Sequence, residues 1–199
     1  MIFGQSLAKI TTEQLEKKRI CNDYSTDLLF HSYNVGVISG EIAKILGMDN
    51  YKDIILMGNF HDLGKSQIDN NILFKKGKLT KLEFEEIKRH PIYSEKIVLD
   101  SMGDTIKNKS FAKAIRHHHE NFDGSGYPDG LKGEEIPVES RILTIADVFD
   151  AIINPRIYRN YTIEFPIELM KSCEYKFDKE IFKKAIPILS KWYKYLREE

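Results

Sequence analysis

"KDIILMGNFHDLGK", residues 52–65, decides the fold class. The segment is apolar on nearly every side, which suits a central helix, and Gly64 marks its expected stop. At its end stand His61 and Asp62, two adjacent polar groups on an otherwise apolar element. At least one of them must direct a polar head into a low-dielectric region, where an unpartnered carboxylate is costly. Two arrangements answer that cost. One is a salt bridge to a nearby lysine; the other is a metal ion, with the two oxygens of Asp62 able to bridge a pair.

Helix signals recur outward from this segment and strand signals do not. From His31 the apolar positions Val35, Ile38, Ile42 and Ile45 fall three and four apart, the stripe of an amphipathic helix ending near Gly47. Thr11 with Gln14 in "TTEQLEKK", and Thr80 with Glu83 in "TKLEFEEIKRH", are capping boxes that should open helices. "SFAKAIRHHHE" and "ESRILTIADVFDAII" also read as helices, and Pro155 ends the second. Between them, residues 121–138 hold four of the chain's 12 glycines and two of its 6 prolines, too many breakers for a helix or strand. An ordered functional loop is expected there.

Composition narrows the function. Lysine plus arginine balances aspartate plus glutamate at 30 each in 199 residues, so no global basic field exists to hold a nucleic-acid polymer. Cys21 and Cys173 are the only cysteines and have no C-x-x-C spacing, which argues against a disulfide framework and a thiolate zinc site. No apolar run approaches the ~18 residues that span a bilayer, and no secretory signal is read at the N-terminus. A cytoplasmic setting is expected. The size suggests one domain.

All six histidines lie between positions 31 and 119. Asp147, inside the apolar "TIADVFDA", repeats the problem posed by Asp62, and two such carboxylates on different helices suggest a shared cation. His90 precedes Pro91 and is displayed at a junction between helices. Lys65, three residues after Asp62, either meets a metal-bound phosphate or is an exposed lysine favoured by a helix C-terminus.

Seven ordered blocks now resemble one family: "HS" at 31–32, "HDLGK" at 61–65, "KKGKLT" at 75–80, "HP" at 90–91, "HHENFDGSGYPDGLKGEEIP" at 118–137, "RILTIADVFDA" at 141–151 and "YR" at 158–159. They are similar to the HD-GYP domain, the cyclic di-GMP phosphodiesterase branch of the HD superfamily. The resemblance implies an all-α HD-domain helical bundle with a Gly/Pro-rich GYP loop. It places this domain at 25–185, between an N-terminal helical segment at 1–24 and a C-terminal helical tail at 186–199.

The resemblance also implies a site. Its metal ligands fall on His31, His61, Asp62, His90, His118, His119 and Asp147, which leaves His117 as an extra imidazole. Seven ligands exceed one octahedral ion, so at least two ions are implied, and Asp27, one turn before His31, offers a ligand for a third. The family points to iron or manganese; the nitrogen and oxygen donor set also suits zinc or nickel. Asp62 and Lys65 are the implied catalytic residues, and Lys65, Tyr127, Asp150, Arg156 and Arg159 the implied substrate contacts, with Asp150 orienting either a ligand or the substrate and Tyr127 either stacking on a guanine or bracing the loop. The implied reaction is hydrolysis of cyclic di-GMP to pGpG, then more slowly to GMP. The implied protein partner is a diguanylate cyclase docking at the GYP loop. Rival readings are a receptor that binds the dinucleotide without cleaving it, and a phosphohydrolase of another cyclic dinucleotide such as cyclic GMP-AMP. The segment "IINPRIYR" at 152–159 departs from the family pattern.

Overall fold

A computed structural model describes residues 26–103, 105–154 and 165–195, the side chains of Thr26 and Asp27 excepted. Among the described residues the regular elements are all helical, as the sequence predicts. In chain order they are α1 (Thr26–Ile45), α2 (Tyr51–Phe60), a 3₁₀ turn (Leu63–Gln67), α3 (Asn70–Leu73), α4 (Lys81–Ile87), α5 (His90–Met102) and α6 (Ile106–Arg116). A 3₁₀ turn (Gly133–Glu135), α7 (Val138–Ile153), α8 (Pro166–Ser172), another 3₁₀ turn (Glu174–Lys176) and α9 (Lys179–Tyr195) follow. The boxes at Thr11, the segment 1–24, Pro155, Arg156 and Arg159 lie outside the described residues, as does the side chain of Asp27. The final helix runs on through residue 185 to Tyr195 and buries Leu189 in the common core.

One core joins α1, α2, α6, α7 and α9 through Val35, Ile38, Ile54, Phe111, Ile115, Ile142, Phe149, Phe182 and Leu189. Each fully buried residue of this size contributes roughly 1.5–3 kcal/mol relative to exposure. Ile45 falls outside the stripe expected of α1 and is exposed, because the helix ends there and the chain turns at Gly47, whose φ is 75°. The α1–α2 contact is made at glycine: a Cβ on Gly58 would lie 2.6 Å from the Gly36 Cα, so only hydrogen at both positions lets these backbones meet. That approach brings His31 on α1 to the end of α2.

Two expected helix ends shift. α2 stops at Phe60 rather than Gly64, and the chain tightens into the 3₁₀ turn, where Lys65 N–H bonds the Asp62 carbonyl. The cause is packing, since Gly64 is pressed against the first turn of α5, where a Cβ would stand 2.0 Å from the His90 carbonyl oxygen. Likewise α6 ends at Arg116, which leaves His117, His118 and His119 in the turn beyond it. The capping box at Thr80 forms as expected, with the Thr80 and Glu83 side chains each accepting from the other's backbone N–H.

Candidate metal centre

One local device builds half of the site. The last carbonyls of a helix have no partner within it, so a histidine just past a helix end can donate its Nδ1–H back to one of them. His61 donates to Gly58 O at 2.6 Å, His90 to Ile87 O at 2.7 Å and His118 to Ile115 O at 2.6 Å. A carbonyl only accepts, so in each neutral ring the proton is on Nδ1 and the lone pair on Nε2. All three rings are buried. Nε2 of His61 makes no hydrogen bond, and Nε2 of His90 stands 3.3 Å from Nε2 of His118. Two lone pairs facing each other in a dry interior repel unless a cation lies between them. The donor set therefore fits a divalent metal.

The remaining donors come from α1, α7 and the 61–62 turn. His31 Nδ1 donates to Asp150 Oδ2 at 2.6 Å, which turns its Nε2 towards Asp147 Oδ1 at 3.0 Å and Asp62 Oδ2 at 3.7 Å. The potential ligand atoms of Asp62, His90, His118 and His119 lie within 4.8 Å of one another, and those of His31, His61 and Asp147 do the same. Asp62 stands between the two groups. Its Oδ1 is 3.1 Å from His90 Nε2, while its Oδ2 is 3.4 Å from His61 Nε2. One carboxylate thus offers an oxygen to each side, the arrangement a bridging ligand needs.

Protonation follows from burial and charge. Burial pushes the His90, His118 and His119 imidazoles down, His119 to about 3, so these rings are neutral ligands at physiological pH. Burial alone would raise Asp62 and Asp147, yet interactions with the His61 ring and Lys65 for Asp62, and with His31 for Asp147, hold both well below the usual carboxylate range. His31 goes the other way: burial lowers it, but Asp147, Asp150 and Asp62 together outweigh burial and raise it to about 9. Metal entry would displace that proton.

Lys65 is buried and ion-paired with Asp62 Oδ2, so it is not the exposed helix-end lysine. Asp150 is buried, with Oδ2 on His31 and Oδ1 accepting from Asn34 at 2.9 Å and Asn154 at 2.8 Å. Its carboxylate orients a ligand candidate. The GYP loop folds back on the His119–Glu120 peptide: Tyr127 N–H bonds the His119 carbonyl at 3.1 Å, and Glu120 Oε1 accepts from the Asp129 and Gly130 N–H groups at 2.7 and 3.0 Å. The Tyr127 ring centroid is 4.8 Å from that of His119.

His117 is buried and bonds Asp129 Oδ2 at 2.8 Å. Arg116 grips both oxygens of the same carboxylate at 2.7 and 2.8 Å and reaches Glu95 at 2.8 Å. His117, Glu120 and Asp129 are close enough to hold an ion, but a carboxylate already held by a bidentate guanidinium is a loop clasp. Sequence reasoning missed this clasp, and it missed Ser94, whose hydroxyl donates to His61 O and accepts from Gly64 N–H, both at 2.7 Å, fixing the 61–64 turn on α5. Asn154, four residues after Asp150, was legible at helical spacing; Ser94 carried no local signal.

A helical fold that collects imidazoles and carboxylates from separate helices into two adjoining groups defines a histidine–aspartate metal-site domain. The family model described as "HD domain" matches residues 13–181, and the chain belongs to that family. It is 42% identical over 124 residues to the cyclic di-GMP phosphodiesterase response regulator RpfG of Xanthomonas campestris pv. campestris, covering 61% of this chain and 32% of that one. It is 38% identical over 131 residues to the 3'3'-cGAMP-specific phosphodiesterase 3 of Vibrio cholerae, covering 65% and 28%. Among solved structures it resembles Bd1817, an HDG"Y"P protein from Bdellovibrio bacteriovorus, with a TM-score of 0.65 at 20% identity over 81% of this chain and 52% of that one. The chain therefore spans about a third of the length of these curated relatives. The likeness read from the sequence is borne out at the level of the HD-domain family and of the all-helical fold. No helix among the described residues is long and apolar enough to cross a membrane.

Proposed function

We propose that this domain is a metal-dependent phosphodiesterase that opens cyclic di-GMP to pGpG and cleaves pGpG more slowly to GMP. The observation that carries the reading is the pair of adjoining donor groups with Asp62 between them and the His61, His90 and His118 rings held with Nε2 inward. His31, His61 and Asp147 would hold one ion and His90, His118 and His119 the other, with Asp62 shared. Iron or manganese is the favoured metal, and Asp27 the candidate ligand for a third ion. Two divalent ions in such a pair activate water and neutralise the non-bridging oxygens of a phosphodiester.

Hydrolysis adds one water across a P–O3′ bond, leaving a 5′-phosphate and a free 3′-hydroxyl. The departing oxygen needs one proton. Lys65 Nζ, held at Asp62, is the donor at hand and also neutralises phosphate charge. Asp150 keeps the His31 ring turned inward, and Arg156 and Arg159 are the proposed grips on the second phosphate. A diguanylate cyclase is the proposed partner at the GYP loop.

Cyclic GMP-AMP is a second reading, favoured by the identity to the Vibrio cholerae enzyme named for that substrate. Manganese-loaded protein incubated with each dinucleotide separately tests both. A higher kcat/KM for cyclic di-GMP is expected; a reversed preference moves the assignment to cyclic GMP-AMP, and two intact nucleotides overturn it.

A further inference from the structure

His119 differs from the other imidazoles of the centre. His61, His90 and His118 are each held by a carbonyl at Nδ1, and His31 by a carboxylate. Metal-binding histidines are ordinarily fixed in this way through the second ring nitrogen. Among the described residues His119 Nδ1 faces Asp147 Oδ2 at 3.7 Å, too far for a hydrogen bond. Three rings lie against this imidazole: the fellow ligand candidates His118 and His90, with centroids at 4.1 and 5.0 Å, and Tyr127 at 4.8 Å, the one that is not a ligand candidate, tilted 33° from it.

Tyr127 is itself held from three directions. Its N–H is bonded to the His119 carbonyl. Just beyond it, Glu120 accepts two loop N–H groups, and Asp129 is gripped by Arg116 and His117. On the near side, Gly126 allows the fold-back, since a Cβ there would stand 2.2 Å from Asn121 N and 2.6 Å from the His119 carbonyl oxygen. The loop is thus closed over the peptide that carries the ligand, and its aromatic ring is delivered to the imidazole of the centre that makes no hydrogen bond among the described residues.

We propose that Tyr127 is a positioning residue for His119: its ring, locked by the Glu120 and Asp129 clasp, replaces the missing hydrogen bond and sets the affinity of the ion held by His90, His118 and His119. The proposal rests on the metal-centre reading above. A residue orienting a ligand is worth roughly ten- to a hundredfold in metal affinity. Stacking on a guanine, the alternative role for Tyr127, would instead act on substrate binding alone.

Manganese titration of chelator-treated protein, followed by the electron paramagnetic resonance signal of free ion, separates these roles without relying on turnover. Wild type should bind at least two ions per chain. Tyr127→Ala should weaken one of them by about tenfold or more while leaving the other within about twofold, whereas Tyr127→Phe, which keeps the ring, should match wild type. Glu120→Ala should reproduce the loss, and Glu120→Gln, whose amide oxygen still accepts both N–H groups, should restore binding. Tyr127→Ala binding both ions as wild type does, with only KM for the dinucleotide raised, would overturn the proposal and leave the metal centre standing. Fewer than two ions in wild type would instead overturn the centre itself, and the proposal with it. Circular dichroism on each variant separates weakened binding from unfolding, and the Phe and Gln variants read the effect in chains whose packing is least disturbed.

Discussion

Replacing Asp150 with asparagine changes one atom and leaves no good arrangement. In the native protein Oδ2 accepts from His31 Nδ1 at 2.6 Å, while Oδ1 accepts from the amides of Asn34 and Asn154 at 2.9 and 2.8 Å. Asparagine keeps one acceptor and gains two donors. If its oxygen stays on His31, its NH₂ meets two other NH₂ groups in a buried position and two hydrogen bonds are lost. If it flips, NH₂ faces His31 Nδ1, which then carries the lone pair, and the ring proton moves to Nε2, the nitrogen aimed at Asp147 and Asp62. Either outcome costs affinity for the ion at His31, His61 and Asp147. The expected loss is about 10- to 100-fold, or roughly 1.4–2.8 kcal/mol. Calorimetric titration of manganese into chelator-treated wild type and Asp150→Asn measures it directly. A variant that binds both ions within about twofold of wild type would refute the reasoning.

Gly64→Ala places a Cβ 2.0 Å from the His90 carbonyl oxygen and 2.6 Å from Ser94 N, backbone atoms that cannot move without displacing α5. It should cost at least about 1–3 kcal/mol by urea denaturation and weaken metal binding as well, and an unchanged midpoint contradicts the contact. In metal-stripped protein, His31 titrates at about 9 when folded and at its ordinary 6.5 when unfolded. Its contribution is therefore complete below pH 6.5 and is lost as the pH rises through 9, on the order of 3 kcal/mol. Thermal melts of stripped wild type and His31→Ala across that range should converge towards high pH; parallel curves contradict the assignment.

Four of the ligand candidates were legible because each breaks a local rule, whereas His31, His118 and His119 were implied by the family resemblance. His61 and Asp62 close an apolar helix, Asp147 interrupts another, and His90 sits before a proline. The glycines and prolines of 121–138 announced a loop for the same reason. Helix ends were less legible: α2 stops early because Gly64 meets α5, a contact that residues 52–65 cannot reveal. The bond from Asn34 to Asp150 crosses 116 positions and that from Ser94 to His61 crosses 33, so neither leaves a trace in local spacing. His117 read as a spare imidazole because Asp129, its partner, stands on the far side of the loop.

The central claim, that the paired donor groups hydrolyse a cyclic dinucleotide, is tested most directly with protein purified without oxygen, loaded with iron or manganese and incubated with cyclic di-GMP. Asp62→Ala runs alongside, and products are separated by chromatography. The account predicts pGpG, then GMP, from wild type and neither from the variant. Wild-type protein that binds both metal and cyclic di-GMP yet leaves the dinucleotide intact would contradict it.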